Sequence, residues 1–154
     1  EAFERVSNEL LLVLAGSAGY GGDEIAARIA ASPARDRIIL LGYVDDAAKA
    51  KLYRSAHALA FPSLDEGFGI PILEAMSAGL PVLTSSCSAM PEVAGDAAVL
   101  VEAGDAEAIA AGLRRIVEDE PLRQRLREQG LARAAEFTWR QAADKMLTIY
   151  RELA

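Results

Sequence analysis

The sequence is poor in the features that mark several large protein classes. It contains one cysteine, Cys87, among 154 residues, which excludes an internal disulfide framework and a cysteine-rich zinc site. The lone thiol fits a reducing compartment, so we expect a cytoplasmic protein in which Cys87 is a small buried apolar residue. No apolar run approaches the ~20 residues that a membrane-spanning helix needs.

Basic residues are also scarce. Lys and Arg number 16 against 23 Asp and Glu, which gives a net charge of −7, and no long basic run is present. Nucleic acid is therefore not expected as a partner. An acidic chain that binds an anion must do so locally, with backbone amides or a few placed cations. Apolar residues make up 52% of the chain, enough for a core, and we assign residues 1–154 to one domain.

Short apolar runs alternate with helical patterns through the first two thirds of the chain. The predicted strands are LLLVLAG (10–16), RIILLG (37–42), HALAFPS (57–63), PVLTSS (81–86) and AAVLVE (97–102). The predicted helices are DEIAARIAAS (23–32), DDAAKAKLYRSA (45–56), IPILEAMSAG (70–79) and three more after residue 105. Because the connections are too long for hairpins, this order predicts an α/β fold, a Rossmann-like parallel sheet with helices on both faces. We expect the first two strands to be buried.

In such sheets ligands bind at the carboxyl ends of the strands, here the loops after Gly16, Gly42, Ser63 and Ser85. The helices from about residue 105 onward are expected to pack on the sheet, with Trp139 and Tyr150 contributing to that packing. The chain opens with EAFERVSNE (1–9), which has the pattern of a helix end. A Rossmann-like layer normally opens with a strand, so we expect its first strand to be lacking.

The segment GSAGYGGDEI (16–25) is rich in glycine but matches neither common phosphate loop. Its glycines lack the spacing of the dinucleotide motif G-x-G-x-x-G, and a P-loop would require Lys and Ser or Thr where Gly22 and Asp23 stand. Two interpretations stay open. One is a flexible turn with Asp23 as the helix N-cap, and the other is a turn whose glycines, beginning with Gly16, let a ligand lie against the backbone.

The stretch DEGFGIPILEA (65–75) contains two glutamates, Glu66 and Glu74. On one helix they would lie ~12 Å apart along the axis, too far to share a proton, and the intervening glycines and Pro71 disfavour such a helix. We predict that Glu66 lies on the loop after the third strand and that Glu74 lies one turn inside the next helix. They are therefore not an acid/base pair.

Four backbone N–H groups then lie at the N-terminus of that helix, where free amides and the positive dipole end suit a diphosphate. They belong to Gly67, Phe68, Gly69 and Ile70. From one turn inside, Glu74 can accept hydrogen bonds from both ribose hydroxyls, whereas Glu66 faces whatever is attached beyond the diphosphate. The alternative is a pair of solvated glutamates that complement the helix dipole.

The string PSLDEGFGIPILEAMSAGLPV (62–82) resembles the E-x7-E segment of the retaining, nucleotide-sugar-dependent group 1 glycosyltransferases. These enzymes have two Rossmann-like domains in the GT-B arrangement. RIILLGYVDDAAKAKLYRSAHALAFPS before it, and SSCSAMPEVAGDAAVLVEAGDAEAIAAGLRRIVED and FTWRQAADKMLTIYREL after it, resemble the same family. The likeness therefore covers nearly the whole chain.

The resemblance implies one half of a GT-B fold, the C-terminal domain that binds a nucleotide-sugar donor, in an enzyme that transfers a hexose without a metal or other cofactor. It makes Glu66, which contacts the transferred sugar, the candidate catalytic residue, and it places Glu74 on the ribose. The turn amides meet the phosphates, and Tyr43 and Val44 flank the base. A GT-B epimerase or phosphorylase, or a non-catalytic nucleotide-sugar-binding domain, are the alternatives.

The stretch GYVDDAAK (42–49) bears on the identity of the base. Guanine presents two N–H donors and one carbonyl along its edge, which suit a carboxylate and an ammonium. Asp46 and Lys49 would supply this pair, and the stretch also resembles mannosyltransferases that use GDP-mannose. The alternative is an N-cap at Asp45 or Asp46 with a solvated Lys49. GDP is the first candidate nucleotide, UDP the second, and ADP ranks lower.

The sequence also departs from the family pattern. The family's first strand, its loop with an Arg and a Lys for the diphosphate, and its N-terminal domain for a glycan or lipid acceptor have no counterpart here. We therefore expect a part of a longer enzyme, which itself associates peripherally with a membrane. We expect this part to fold, to bind nucleotide weakly and to have no transferase activity alone.

Overall fold

The computed structural model describes residues 1–6, 9–17, 19 and 21–153. The strands are β1 (Leu12–Ala15), β2 (Ile38–Gly42), β3 (Leu59–Phe61), β4 (Val82–Ser85) and β5 (Ala98–Val101). The α-helices are α1 (Gly22–Ala30), α2 (Asp46–Ser55), α3 (Ile70–Ser77), α4 (Met90–Ala94), α5 (Ala106–Glu118), α6 (Glu120–Ala135) and α7 (Trp139–Glu152). Every strand pairing is parallel and helices flank the strands, which confirms the α/β class.

The strands form two separate sheets instead of one continuous layer. β1 pairs with β2, and β4 lies between β3 and β5. A Rossmann-like sheet has the strand order 3-2-1-4-5-6. The pairs β2–β1 and β3–β4–β5 match its two flanks, and the central strand 1 has no counterpart among the described residues. The sequence therefore predicts the class and direction of the strands correctly, but not their division into two sheets.

The two-stranded sheet is more exposed than the sequence predicts. Val13 and Ile39 are each 39% exposed, and Leu40 is 55% exposed. The expectation that the first two strands are buried is therefore wrong, because helices and strands do not enclose this sheet as they enclose β4, whose four residues are all buried. An apolar run looks the same in a sequence whether one or both of its faces are covered.

The core surrounds the three-stranded sheet. Val82 belongs to a buried cluster with Ile72 and Met90, whereas its neighbour Leu83 belongs to a second cluster with Ile116. Successive residues of a strand point to opposite faces, so α3 and α4 cover one face and α5 covers the other. The sheet is thus covered by helices on both faces.

Helix α6 contacts both halves of this core. Leu122 and Leu126 are part of the cluster around Leu83. Further along, Gly130 lies against Met76 of α3, where an added Cβ would be 3.2 Å from Met76 Cγ. Arg127 Nε donates to the carbonyl of Gly79, 3.1 Å away, just after the end of α3. The placement of α3 therefore depends on α6.

The last helix differs from expectation. α7 begins with a capping box formed by Thr138 and Gln141, as its sequence favours, but none of its residues is buried. Trp139 is 86% exposed and Tyr150 63% exposed, so assigning them to packing was wrong. Among the described helices, none combines the length and apolar character that crossing a bilayer requires.

Candidate functional site

Glycine and proline build the turn between β3 and α3. Gly69 is the N-cap of α3 and has a φ of 89°, in the left-handed region. A Cβ at this position would also lie 3.1 Å from Ile72 Cδ1, so both conformation and space favour glycine. Pro71 occupies the first turn of the helix. Glu66 consequently lies on the loop and Glu74 inside α3, as the sequence predicts.

The turn before α3 contains several backbone N–H groups in succession. Over residues 1–6, 9–17, 19 and 21–153, no hydrogen bond is formed by the N–H groups of the four turn positions. These positions are Gly67, Phe68, Gly69 and Ile70. The first N–H groups of a helix have no partner within the helix and lie at the positive end of its dipole. The turn therefore presents donors suited to an anionic group.

An aromatic contact holds the outer side of the turn. The ring of Phe68 meets the ring of Phe137 edge-on, with 5.9 Å between centroids. The guanidinium carbon of Arg133 lies 4.6 Å from the centroid of the Phe137 ring, and Arg133 Nε donates to the carbonyl of Val93 over 3.0 Å. These contacts join the turn to α6 and α4. An aromatic pair such as Phe68 and Phe137 contributes about 0.5–1.5 kcal/mol.

The loop that carries Glu66 is tied to the segment after β4. The hydroxyl of Ser88 donates to Asp65 Oδ1 over 2.6 Å and accepts from the N–H of Glu66 over 3.2 Å. Ser88 has a φ of 53°, which is unusual for a residue other than glycine. The hydroxyl of Ser63 lies 3.3 Å from Glu66 Oε1. The backbone at Glu66 and its side chain are therefore both positioned by serines.

Cys87 neighbours this loop. It is partly exposed instead of buried, and its Sγ lies 3.4 Å from the carbonyl of Leu64. The expectation of a buried apolar cysteine is therefore wrong, because the residue lies on the segment after β4, beside the loop at Leu64.

Helix α2 begins as one of the sequence interpretations predicts. Asp45 is the N-cap, and its Oδ1 accepts from the N–H of Ala48 over 2.7 Å. Asp46 is then free of the capping role, and its Oδ1 lies 3.4 Å from Lys49 Nζ. The two residues considered for guanine are therefore neighbours at the start of α2.

Lys49 has a second and closer partner. Its Nζ donates to Glu74 Oε1 over 2.7 Å, and the hydroxyl of Tyr53 donates to Glu74 Oε2 over 3.1 Å. The hydrogen bond to Glu74 raises the pKa of Lys49 above its ordinary value. Burial, reinforced by the negative charge of Glu74, raises the pKa of Tyr53 to about 12. Both groups thus keep their protons at neutral pH and act as donors to the carboxylate.

The ends of β1 and β2 also meet. Ala15 pairs with Gly42, and the N–H of Gly16 donates to the carbonyl of Gly42 over 2.8 Å. Gly16 therefore lies beside the loop that carries Tyr43, which is 79% exposed, and the less exposed Val44. Residues 18 and 20 of the glycine-rich turn lie outside the described residues. Gly21 is the N-cap of α1, so the alternative that made Asp23 the N-cap is wrong.

Several site residues escaped prediction from the sequence. Tyr53 follows Lys49 by four positions on α2, a spacing that places both on one helix face, and this signal was available. Ser88 and Phe137 gave no such signal, because each is far in sequence from the loop it contacts. Their role depends on tertiary packing alone.

Comparison with known proteins gives a consistent result. The family model described as glycosyl transferases group 1 matches residues 1–133. The chain is 36% identical over 142 residues to O-antigen chain mannosyltransferase B of Escherichia coli, covering 92% of this chain and 37% of that protein. It is 37% identical over 136 residues to a phosphatidyl-myo-inositol mannosyltransferase of Mycobacterium leprae, covering 86% of this chain and 36% of that protein.

The fold is similar to solved structures of GT-B glycosyltransferases. Sucrose-phosphate synthase from Thermosynechococcus elongatus superposes with a TM-score of 0.82 at 28% identity, over 92% of this chain and 38% of that one. The chain thus spans little more than a third of the length of each of these three proteins.

Proposed function

Because the chain belongs to the group 1 family of glycosyltransferases, we propose that it forms the donor-binding half of an enzyme that transfers a hexose from a nucleotide sugar to a glycan or lipid acceptor. The observation that carries this proposal is the α3 turn. Four amides that have no hydrogen-bond partner among the described residues lie between Glu66 on one side and Glu74 on the other. This order of groups fits a sugar, a diphosphate and a ribose in succession.

The amides of residues 67–70 bind the diphosphate. Backbone donors in a fixed turn need no reorganisation when charge develops on the leaving diphosphate. During transfer, the bond between the anomeric carbon and the phosphate oxygen breaks, and the diphosphate keeps the electron pair. The acceptor oxygen bonds to the anomeric carbon and gives up its proton. We propose that the transfer retains the anomeric configuration and uses no metal.

Glu66 contacts the transferred sugar. Its carboxylate accepts hydrogen bonds from sugar hydroxyls and stabilises the positive charge that develops on the ring. The support is its place on a loop fixed by Ser88 and Ser63, which keeps the carboxylate beside the turn. Glu74 accepts hydrogen bonds from the ribose, one turn further along α3.

We propose mannose as the sugar and GDP as the nucleotide. The relatives described above include two mannosyltransferases, and Asp46 stands at the start of α2 with its side chain exposed. Its carboxylate suits the two N–H donors of guanine. Tyr43 and Val44 flank the base, beside Gly16. Since Lys49 donates to Glu74, the guanine carbonyl is left to another donor.

The remaining expectations are part of the same proposal. A second domain binds the acceptor, and the complete enzyme works in the cytoplasm, in peripheral contact with a membrane. This chain alone has no transferase activity.

Titration of the chain with GDP, UDP and ADP, followed by NMR chemical shifts, tests the nucleotide assignment. We expect shifts in residues 67–74 with each nucleotide and the tightest binding for GDP. Tighter binding of UDP would remove the guanine role of Asp46. Chemical-shift changes confined to other surfaces would contradict the assignment of the α3 turn as the donor site.

Product analysis of the longer protein that carries this chain tests the reaction. With GDP-mannose and an acceptor, we expect a mannoside whose anomeric configuration matches the donor. An isomerised nucleotide sugar would indicate an epimerase, a sugar phosphate would indicate a phosphorylase, and binding without any turnover would indicate a sensor domain.

A further inference from the structure

The carboxylate of Glu74 is held at both oxygens by neighbours on another helix. Lys49 Nζ donates to Oε1 over 2.7 Å and the Tyr53 hydroxyl donates to Oε2 over 3.1 Å. Lys49 and Tyr53 are four positions apart on α2, so both project from one face toward α3. Two donors on α2 thus fix the orientation of the Glu74 carboxylate on α3.

We propose that Lys49 and Tyr53 are positioning residues that aim the Glu74 carboxylate at the two hydroxyls of the donor ribose. This proposal rests on the proposed function, in which Glu74 binds the ribose. An ionised carboxylate has about four acceptor sites, two on each oxygen. Lys49 takes one site on Oε1 and Tyr53 takes one on Oε2. One site on each oxygen then remains, which matches a vicinal diol.

Burial and charge support a positioning role. The side chains of Lys49 and Glu74 are 35% and 32% exposed, so the ion pair is partly shielded from water. Lys49 Nζ also lies 3.4 Å from Asp46 Oδ1, a second and more exposed carboxylate. Tyr53 packs its ring against the cluster around Ile72. The ring is therefore fixed by packing, and the hydroxyl has a defined direction.

The test compares two ligands in matched variants. Affinities for GDP and for 2′,3′-dideoxy-GDP are measured by NMR titration in the wild-type chain, Tyr53→Phe and Lys49→Met. Tyr53→Phe keeps the packed ring and removes only the hydroxyl. Lys51→Met, which removes an exposed ammonium from the same helix, is the control for Lys49→Met. Thermal unfolding shows whether each variant is folded.

We expect the wild-type chain to prefer GDP over the dideoxy nucleotide. Tyr53→Phe and Lys49→Met should each reduce this preference by roughly three- to tenfold, the effect of losing one oriented hydrogen bond. Affinity for the dideoxy nucleotide should change less than twofold, and Lys51→Met should behave as wild type. A general loss of structure would lower both affinities together, so the ratio isolates positioning.

Two results would overturn the proposal, and only one of them would also contradict the ribose role of Glu74. A wild-type preference for GDP that persists unchanged in both variants overturns the positioning role alone. Equal wild-type affinity for the two nucleotides overturns the ribose role of Glu74 in the proposed function, and the positioning role with it.

Discussion

The hydroxyl of Ser88 accepts a hydrogen bond from the backbone N–H of Glu66 across a separation of 22 residues. Ser88 also donates to Asp65 Oδ1, and it does so from a left-handed backbone conformation, with a φ of 53°. Such conformations cost about 1–2 kcal/mol for a residue other than glycine. An unfavourable backbone geometry is therefore maintained where it fixes the loop of the candidate catalytic residue.

Substitutions at Ser88 should separate the hydroxyl from the backbone strain. Ser88→Ala loses the hydrogen bonds and keeps the strain, so we expect a loss of about 0.5–1.5 kcal/mol in the free energy of unfolding. Ser88→Gly also loses the hydrogen bonds but relieves the strain, and should be about 1 kcal/mol more stable than Ser88→Ala. Denaturant unfolding measures both. Ser86→Ala, on the same loop, is the control. Equal stability of the Ala and Gly variants would contradict the assignment of strain.

Gly69 and Gly67 offer a matched pair for the α3 turn. Gly69→Ala places a Cβ at a positive φ and 3.1 Å from Ile72 Cδ1, so we expect a loss of about 1–2 kcal/mol in the free energy of unfolding. Gly67→Ala meets nothing within 4 Å and should stay within about 0.5 kcal/mol of wild type. Denaturant unfolding checks both, and a similar cost at the two positions would argue against the left-handed cap.

The two glutamates should fail in different ways. Glu74→Gln should lower the affinities for GDP and for GDP-mannose by a similar factor, about tenfold, because hydrogen bonds to a charged group are strong. Glu66→Gln should leave GDP affinity within twofold and reduce the preference for GDP-mannose over GDP. NMR titration with both ligands measures this. Glu118→Gln, an exposed site on α5, is the control, and an identical pattern in the two site variants would refute the division of roles.

Alkaline pH should weaken the contact between α2 and α3. The folded-state pKa of Tyr53, about 12, exceeds its ordinary value of 10.0. Its contribution to stability is therefore complete below pH 10 and is lost as pH rises toward 12. The raised pKa of Lys49 acts in the same direction. We expect the unfolding free energy of wild type to fall more steeply over this range than that of Tyr53→Phe. Parallel pH profiles would contradict the burial of the Tyr53 hydroxyl.

Local sequence signals predicted the α3 turn well. The glycines before Pro71 and the apolar spacing after it define the start of the helix, and the positions of Glu66 and Glu74 follow from that start alone. The alternation of strands and helices likewise predicted the parallel α/β class. These features depend on residues that are close together in the chain.

Features that depend on distant contacts were not predicted. The hydrogen bond from Lys49 to Glu74 on α3 joins residues 25 positions apart, and the local sequence around Lys49 gives no sign of it. Burial was overestimated in β1, β2 and α7 for the same reason. The exposure of an apolar side chain such as that of Trp139 depends on whether other elements of the fold pack against it. The positive φ of Ser88 is unusual for serine, and it occurs where the hydroxyl contacts residues more than 20 positions away.

The close approach of Gly130 on α6 to Met76 on α3 has a consequence for how the site can evolve. α3 spans only eight residues, too few to be stable alone. Its position therefore depends on packing against α6. A larger side chain at position 130 would push α3 outward and carry Glu74 away from Lys49. The distance between Glu74 and Lys49 therefore depends on the contact between α3 and α6, and we expect a size change at residue 130 or residue 76 to be compensated at the other in related proteins.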